Sequence, residues 1–229
     1  MFLQSDRFPI AQHGRDGGKG ETIMRTVLMA ILLAGTGMSI QAQTATRYPP
    51  LAPEAMTAEQ KAMYDGIMAG PRHSIEGPFN AWLRSPVLGD RLQRVGEYLR
   101  FNTTIPHNLN EFAILITAVE WNSGFEWYAH YPLAMKAGLE PAIATDLQEG
   151  RRPANMTADE TLVYDFATQL HRRHQVADAV FDAAAKRFGE QGVTDLVALL
   201  GYYGLVSMTL NVAEVTPPQN EKGLPPPPK

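Results

Sequence analysis

A helix start occurs twice in this chain, about a hundred residues apart. Met56-Thr57-Ala58-Glu59-Gln60, followed by Tyr64-Asp65, recurs as Met156-Thr157-Ala158-Asp159-Glu160, followed by Tyr164-Asp165. In each copy a threonine is placed to cap a helix, with an acid inside the first turn. A second block comes after each in the same order: Leu109-Asn110-Glu111-Phe112-Ala113-Ile114-Leu115 aligns with Val193-Thr194-Asp195-Leu196-Val197-Ala198-Leu199, again a polar cap leading into an apolar helix. Matched blocks in matched order predict two related helical halves, about residues 54–140 and 141–215, packed together.

Helical periodicity also runs through residues 88–101, 142–149, 158–173 and 178–188, punctuated by turn residues, and no strand pattern interrupts it. The expected architecture is all-α, a bundle of about eight helices with the apolar segments near Glu111 and Asp195 at its centre. The first half is about 16 residues longer than the second. Most of the excess is GPRHSIEGPFNAWLRSP, residues 70–86. Two Gly-Pro breaks, Phe79, Trp82, Arg72, His73 and Arg84 suit it to cover a site.

The ends of the chain read differently. Residues 1–42 have the layout of a secretory signal peptide, with an apolar run after Arg25, small and polar residues up to Ala42, and Met24 as an alternative start. That run of about nine residues is too short to span a bilayer. The mature protein is therefore expected to be periplasmic or secreted, with no membrane anchor after cleavage. Residues 216–229 form a proline-rich tail, expected to be disordered. The formal net charge of −4 becomes about −5 without the leader, which speaks against a nucleic-acid partner. Cysteine is absent, so neither a disulfide framework nor thiolate chemistry is available.

Chemistry concentrates between Leu109 and Gly138, where Glu111, Glu126 and His130 interrupt apolar helical pattern. Burying a carboxylate or imidazole costs several kcal/mol unless it is paired. On a helix from about Asn122 to Ala137, Ser123, Glu126 and His130 share a face, with Pro132 expected to kink it near His130. The Asn122-Ser123-Gly124 break folds this helix back toward Glu111. His130 is the natural proton-transfer group, with Glu111 or Glu126 fixing its tautomer, and a third ionisable group nearby favours an acid/base site over a structural pair.

Two carboxylates and a histidine also resemble a facial metal-ligand set, so a metal-dependent enzyme using Glu111, Glu126 and His130 is an alternative. Glu120, on the far side of its helix, is expected to be solvated or paired elsewhere, and His107, His171 and His174 to be structural or solvated. Trp82, Phe125, Trp127 and Tyr128 are candidates for a pocket wall. Arg84, Arg91, Arg94 and Arg100 are cations for a substrate carboxylate, and Arg84 is favoured by its place in the inserted loop.

The run Leu109-Asn110-Glu111-Phe112-Ala113-Ile114-Leu115, then Glu126-Trp127 with His130, Ala134 and Gly138, resembles the carboxymuconolactone decarboxylase family. Leu83-Arg84-Ser85-Pro86, Tyr202-Tyr203 and Thr209-Leu210-Asn211 resemble further features of its two-copy form. The resemblance implies an AhpD-like fold, His130, Glu111 and Glu126 as catalytic residues, a trimer or hexamer, and no cofactor or metal. In the alkyl hydroperoxidase D branch, Glu, C-x-x-C and His form a relay serving a thiol. Here Glu111 and His130 match the Glu and His, while Ser123 and Glu126 stand where the cysteines would be, which removes the thiol peroxidase mechanism.

The decarboxylase branch acts on a small lactone bearing two carboxylates. The resemblance therefore implies cofactor-free decarboxylation or proton transfer on a small carboxylated lactone, enol or keto acid, with Arg84, Trp127, Trp82 and Ser123 around the substrate. The alternative from another class is a non-catalytic small-ligand-binding protein of the same fold.

Overall fold

Thr57 and Thr157 both cap helices in the manner their sequences predict. The Thr57 hydroxyl accepts from the Gln60 amide at 3.3 Å while Gln60 Oε1 accepts from the Thr57 amide at 2.9 Å, and Thr157 and Glu160 reciprocate at 3.2 and 2.7 Å. Each box satisfies two amides that a helix start leaves open. These are the starts of α1 (Ala58–Ala69) and α7 (Ala158–Arg173) in the computed structural model, which describes residues 46–218 together with Glu221, Gly223 and Leu224.

Between them lie α2 (Phe79–Trp82), α3 (Pro86–Phe101), α4 (His107–Glu120), α5 (Gly124–Lys136) and α6 (Pro141–Gln148), and α8 (Asp178–Ala213) follows. The protein is all-α, with eight α-helices, a short 3-10 turn at Pro53–Ala55 and no strand among the described residues. The expected leader, residues 1–42, lies outside the described residues.

Helix α4 is the centre of the described bundle, buried without interruption from Leu109 to Ala118 and packed by α5, α7 and α8. Phe112, Ile114 and Leu115 are wholly inaccessible. Each such side chain contributes about 1.5–3 kcal/mol. Glu111 sits among them and has to be paired.

The second matched block behaves unlike its expectation. Asn110 and Thr194 cap nothing, because α4 starts at His107 and residues 193–195 lie inside α8. The Asn110 amide instead donates to the Leu99 carbonyl at 2.8 Å, and Asp195 accepts from the Tyr98 hydroxyl at 3.2 Å. These buried polar groups tie α3 to α4 and α8, and the break in α8 comes earlier, at Gly189 (φ 73°, ψ 171°), a conformation suited to glycine. Helix α8 is long and apolar enough to cross a membrane by length and composition, yet Leu196, Leu199, Leu200 and Leu210 belong to the core.

Both ends of the domain are fastened. Arg47 and Thr46 bond the Ala213 carbonyl, and Asn80 bonds that of Tyr48. Described positions of the proline-rich end, where disorder was expected, lie against the domain: Gln148 donates to the Gly223 carbonyl at 3.0 Å, and Leu224 packs against the core.

Candidate active site

The reversal that builds the site is closed by the backbone. Asn122 adopts a left-handed conformation (φ 47°), and the Ser123 amide bonds the Ala118 carbonyl at 2.8 Å. Helix α5 then begins at Gly124, two residues later than predicted, and runs back along α4. Pro132 does not end it. The proline denies a donor only to the Tyr128 carbonyl, and its own ring is exposed, so the loss falls at the surface. His130 therefore stays one turn beyond Glu126 on an unbroken helix.

The reversal sets His130 on Glu111. His130 Nδ1 lies 2.6 Å from Glu111 Oε2, and Nε2 lies 3.0 Å from Glu126 Oε1. All three side chains are nearly inaccessible. Burial alone would lower the imidazole pKa, but the charge of Glu126 and the hydrogen bond the ring donates to Glu111 override it and raise it to about 9. Burial likewise works to raise the Glu111 pKa, and the His130 hydrogen bond and charge hold it below the ordinary value, helped by the fields of Arg100 and His107. At neutral pH His130 is thus an imidazolium that donates through Nδ1 to Glu111 and faces Glu126 with Nε2.

This centre closes one side of a cavity of about 330 Å³ between the inserted loop, the end of α3, α5 and α8. Glu126 and His130 are in its wall, with Arg72, Arg100, Tyr202 and Tyr203 around them. Glu111 stands behind His130. The Tyr203 ring meets His130 edge-on at 5.1 Å, and its buried hydroxyl has no hydrogen-bond partner. Burial holds the Tyr203 phenol well above its usual pKa and pushes that of Tyr202 up to about 12, so both stay neutral donors.

Four residues expected around a substrate lie off the wall of this cavity. Arg84 does not reach the cavity: its guanidinium is spent on Asn80 (backbone oxygen 2.7 Å, Oδ1 2.8 Å) and on the Pro49 carbonyl, fastening the lead-in to α2. Trp82 is a layer behind the wall, edge-on to Phe79 and Tyr202, with its indole N–H on Thr209. Trp127 stacks on Tyr131, away from the cavity lining. Ser123 precedes α5 rather than sharing its face, and its hydroxyl is buried without a partner.

In their place stand Arg72 and Arg100, with Phe125 and Tyr128 lining the wall as expected. Arg72 Nε and Nη2 and Arg100 Nε are buried without a hydrogen-bond partner. One signal for this side was legible: Gly96, a glycine inside a helix one turn before Arg100, marks a close approach. Elsewhere, Glu120 pairs with Arg172 (2.6 Å), His171 contacts the Thr117 hydroxyl (3.0 Å), and His174 closes α7.

The metal alternative does not fit this geometry. Glu111 and Glu126 lie on opposite edges of the His130 ring, so the three have no common point to share, and no group of three ionisable or thiol ligands among the described residues is placed to hold an ion. No family model matches the chain, and no curated protein matches it.

Proposed function

We propose that this protein is a cofactor-free acid–base enzyme that carries out decarboxylation or proton transfer on a small carboxylated lactone, enol or keto acid. The observation that supports this best is His130, held at both ring nitrogens by carboxylates in the wall of a cavity that also presents unpaired guanidinium donors. An ion pair serving only to join α4 and α5 would need one carboxylate and no cavity.

The division of labour follows from the hydrogen bonds. His130 is occupied on both edges, so Glu126, in the wall, is the group that meets the substrate. Arg72 and Arg100 hold the substrate carboxylate. When carbon dioxide leaves, or a proton is taken from carbon, the electron pair moves onto a conjugated carbonyl or lactone oxygen. Glu126 relays the His130 proton to carbon, Glu111 steadies the imidazolium until it gives that proton up, and solvent then returns a proton to the ring. A positioned acid of this kind is worth about 10²–10⁴ in rate.

The resemblance to carboxymuconolactone decarboxylases points the same way, with Glu126 standing where related peroxidases have a cysteine. On this reading the protein is a two-half, AhpD-like family member, exported to the periplasm or secreted, and a trimer or hexamer. The rival is a non-catalytic binding protein of the same fold, favoured by the fact that both His130 nitrogens are spent on protein groups.

Turnover decides between them. The purified protein is offered carboxylated lactones, enols and β-keto acids, with carbon dioxide release and deuterium incorporation from solvent followed by NMR. Turnover that falls at least about a hundredfold in Glu126→Gln and His130→Gln, with ligand affinity kept, supports the enzyme. Unchanged turnover in both variants would sink it.

A further inference from the structure

The cavity wall is unusually aromatic. Phe79, Phe125, Tyr128, Tyr202 and Tyr203 are five of its 16 residues, whereas aromatic residues are 9% of the chain, so ring faces and edges are enriched in what a ligand would touch. They come from separate elements: Phe125 and Tyr128 form an edge-to-face pair on α5 (5.9 Å), and Tyr202 and Tyr203 another on α8 (5.3 Å). A volume of about 330 Å³ suits a small ring compound.

The charges select further. Arg72 and Arg100 flank the ring of Phe101 at 5.9 and 5.2 Å, and neither forms an ion pair with an acid among the described residues. Their orphaned N–H groups require acceptors from outside the chain, and a carboxylate matches the guanidinium fork. Among the residues that line the cavity, two guanidiniums and the imidazolium set against Glu76 and Glu126 leave one positive charge, which a single anionic group neutralises. A second carboxylate would face Glu126, with Glu76 adding repulsion at the rim.

We propose that this cavity takes a flat aromatic monocarboxylate, its carboxylate between Arg72 and Arg100, its ring between the Phe125/Tyr128 and Tyr202/Tyr203 pairs, and one edge toward Glu126. This rests on the cavity being the substrate site, and it departs from the dicarboxylate of the family that the sequence resembles.

Calorimetric titration of the full-length protein tests it with three probes: benzoate, cyclohexanecarboxylate of equal charge but puckered ring, and succinate, an aliphatic dianion. Benzoate is expected to bind at least about tenfold tighter than either, with Arg72→Gln and Arg100→Gln each losing about tenfold. Arg72→Lys, which keeps the charge and loses the fork, gives an intermediate loss even if the glutamine variant folds poorly. Failure of benzoate to bind, equal or tighter binding of the other probes, or indifference to the arginine variants overturns the proposal. Benzoate preference without turnover of any acid would defeat the enzyme reading alone, and turnover with preference for succinate would defeat this inference alone.

Discussion

The hydroxyl of Tyr202 fills the space that Gly96 leaves by having no side chain. A Cβ on residue 96 would come within 2.1 Å of that hydroxyl and 2.8 Å of Arg72 Nη2, so one missing methyl on α3 makes room for two groups of the cavity. Phenol and guanidinium are thereby pressed to the same spot from α8 and from the inserted loop.

Gly96→Ala is expected to displace both. Overpacking of this kind costs about 1–3 kcal/mol, offset by the roughly 1 kcal/mol that alanine gains over glycine in a helix. The melting temperature should fall by a few degrees while benzoate affinity falls about tenfold. Calorimetric titration beside thermal melts checks it. Wild-type affinity in this variant would mean that Tyr202 and Arg72 do not set the anion site.

Glu111→Gln removes the carboxylate that fixes His130 from the core side. The ring keeps Glu126, so the loss is that of one buried charge-assisted hydrogen bond, about 1.5–3 kcal/mol, and this variant should be less stable than Glu126→Gln, where the ring keeps Glu111 and opens on the cavity. Denaturant titrations compare the two, and an NMR titration of the His130 ring should show its pKa falling in both. An unmoved pKa would show that neither carboxylate holds the imidazolium.

Stability should depend on pH at both ends of the ionic centre. The folded pKa of His130 is raised to about 9, so its contribution is complete below the unfolded value of 6.5 and fades as pH rises toward about 9. Glu111 is lowered, so its contribution is complete above 4.5 and is lost as pH falls through its folded value. Both are full only between those two unfolded values. Urea midpoints measured from pH 4 to 10 should decline above about 6.5, and His130→Gln should flatten that decline.

Tyr203→Phe separates stability from function. The hydroxyl is buried and unpaired, so deleting it should leave the protein as stable or up to about 1 kcal/mol more stable. Turnover of an acid substrate should nevertheless drop, because a neutral donor to the developing oxyanion is lost. A variant that is both more stable and fully active would make Tyr203 a packing residue.

Arg84→Ala should do the reverse. It frees the lead-in from α2 at a cost of about 1 kcal/mol and leaves benzoate affinity unchanged. A tenfold loss of affinity would restore Arg84 to the site.

How far these features could be read in advance depended on how local they are. The Thr57 and Thr157 caps involve residues three positions apart, and the burial of Glu111 and His130 follows from the apolar residues beside them. Both are statements about neighbouring positions. The place of Arg84 is set by the Pro49 carbonyl 35 positions away, which charge and loop composition do not encode. Arg72 and Tyr202 meet only because α3 and α8 pack at Gly96. Pro132 does not divide α5, because the one carbonyl it leaves without a donor is that of Tyr128 and the rest of the helical ladder holds.

The interruption at Gly189 matters for how the molecule breathes. Amide protons of residues 178–188 and of 190–213 are held by separate ladders, so fraying that enters α8 from its solvent-facing first piece stops before Asp195 and the tyrosines. Exchange with deuterated water would then proceed in the outer piece at little cost while the inner piece opens only with the domain.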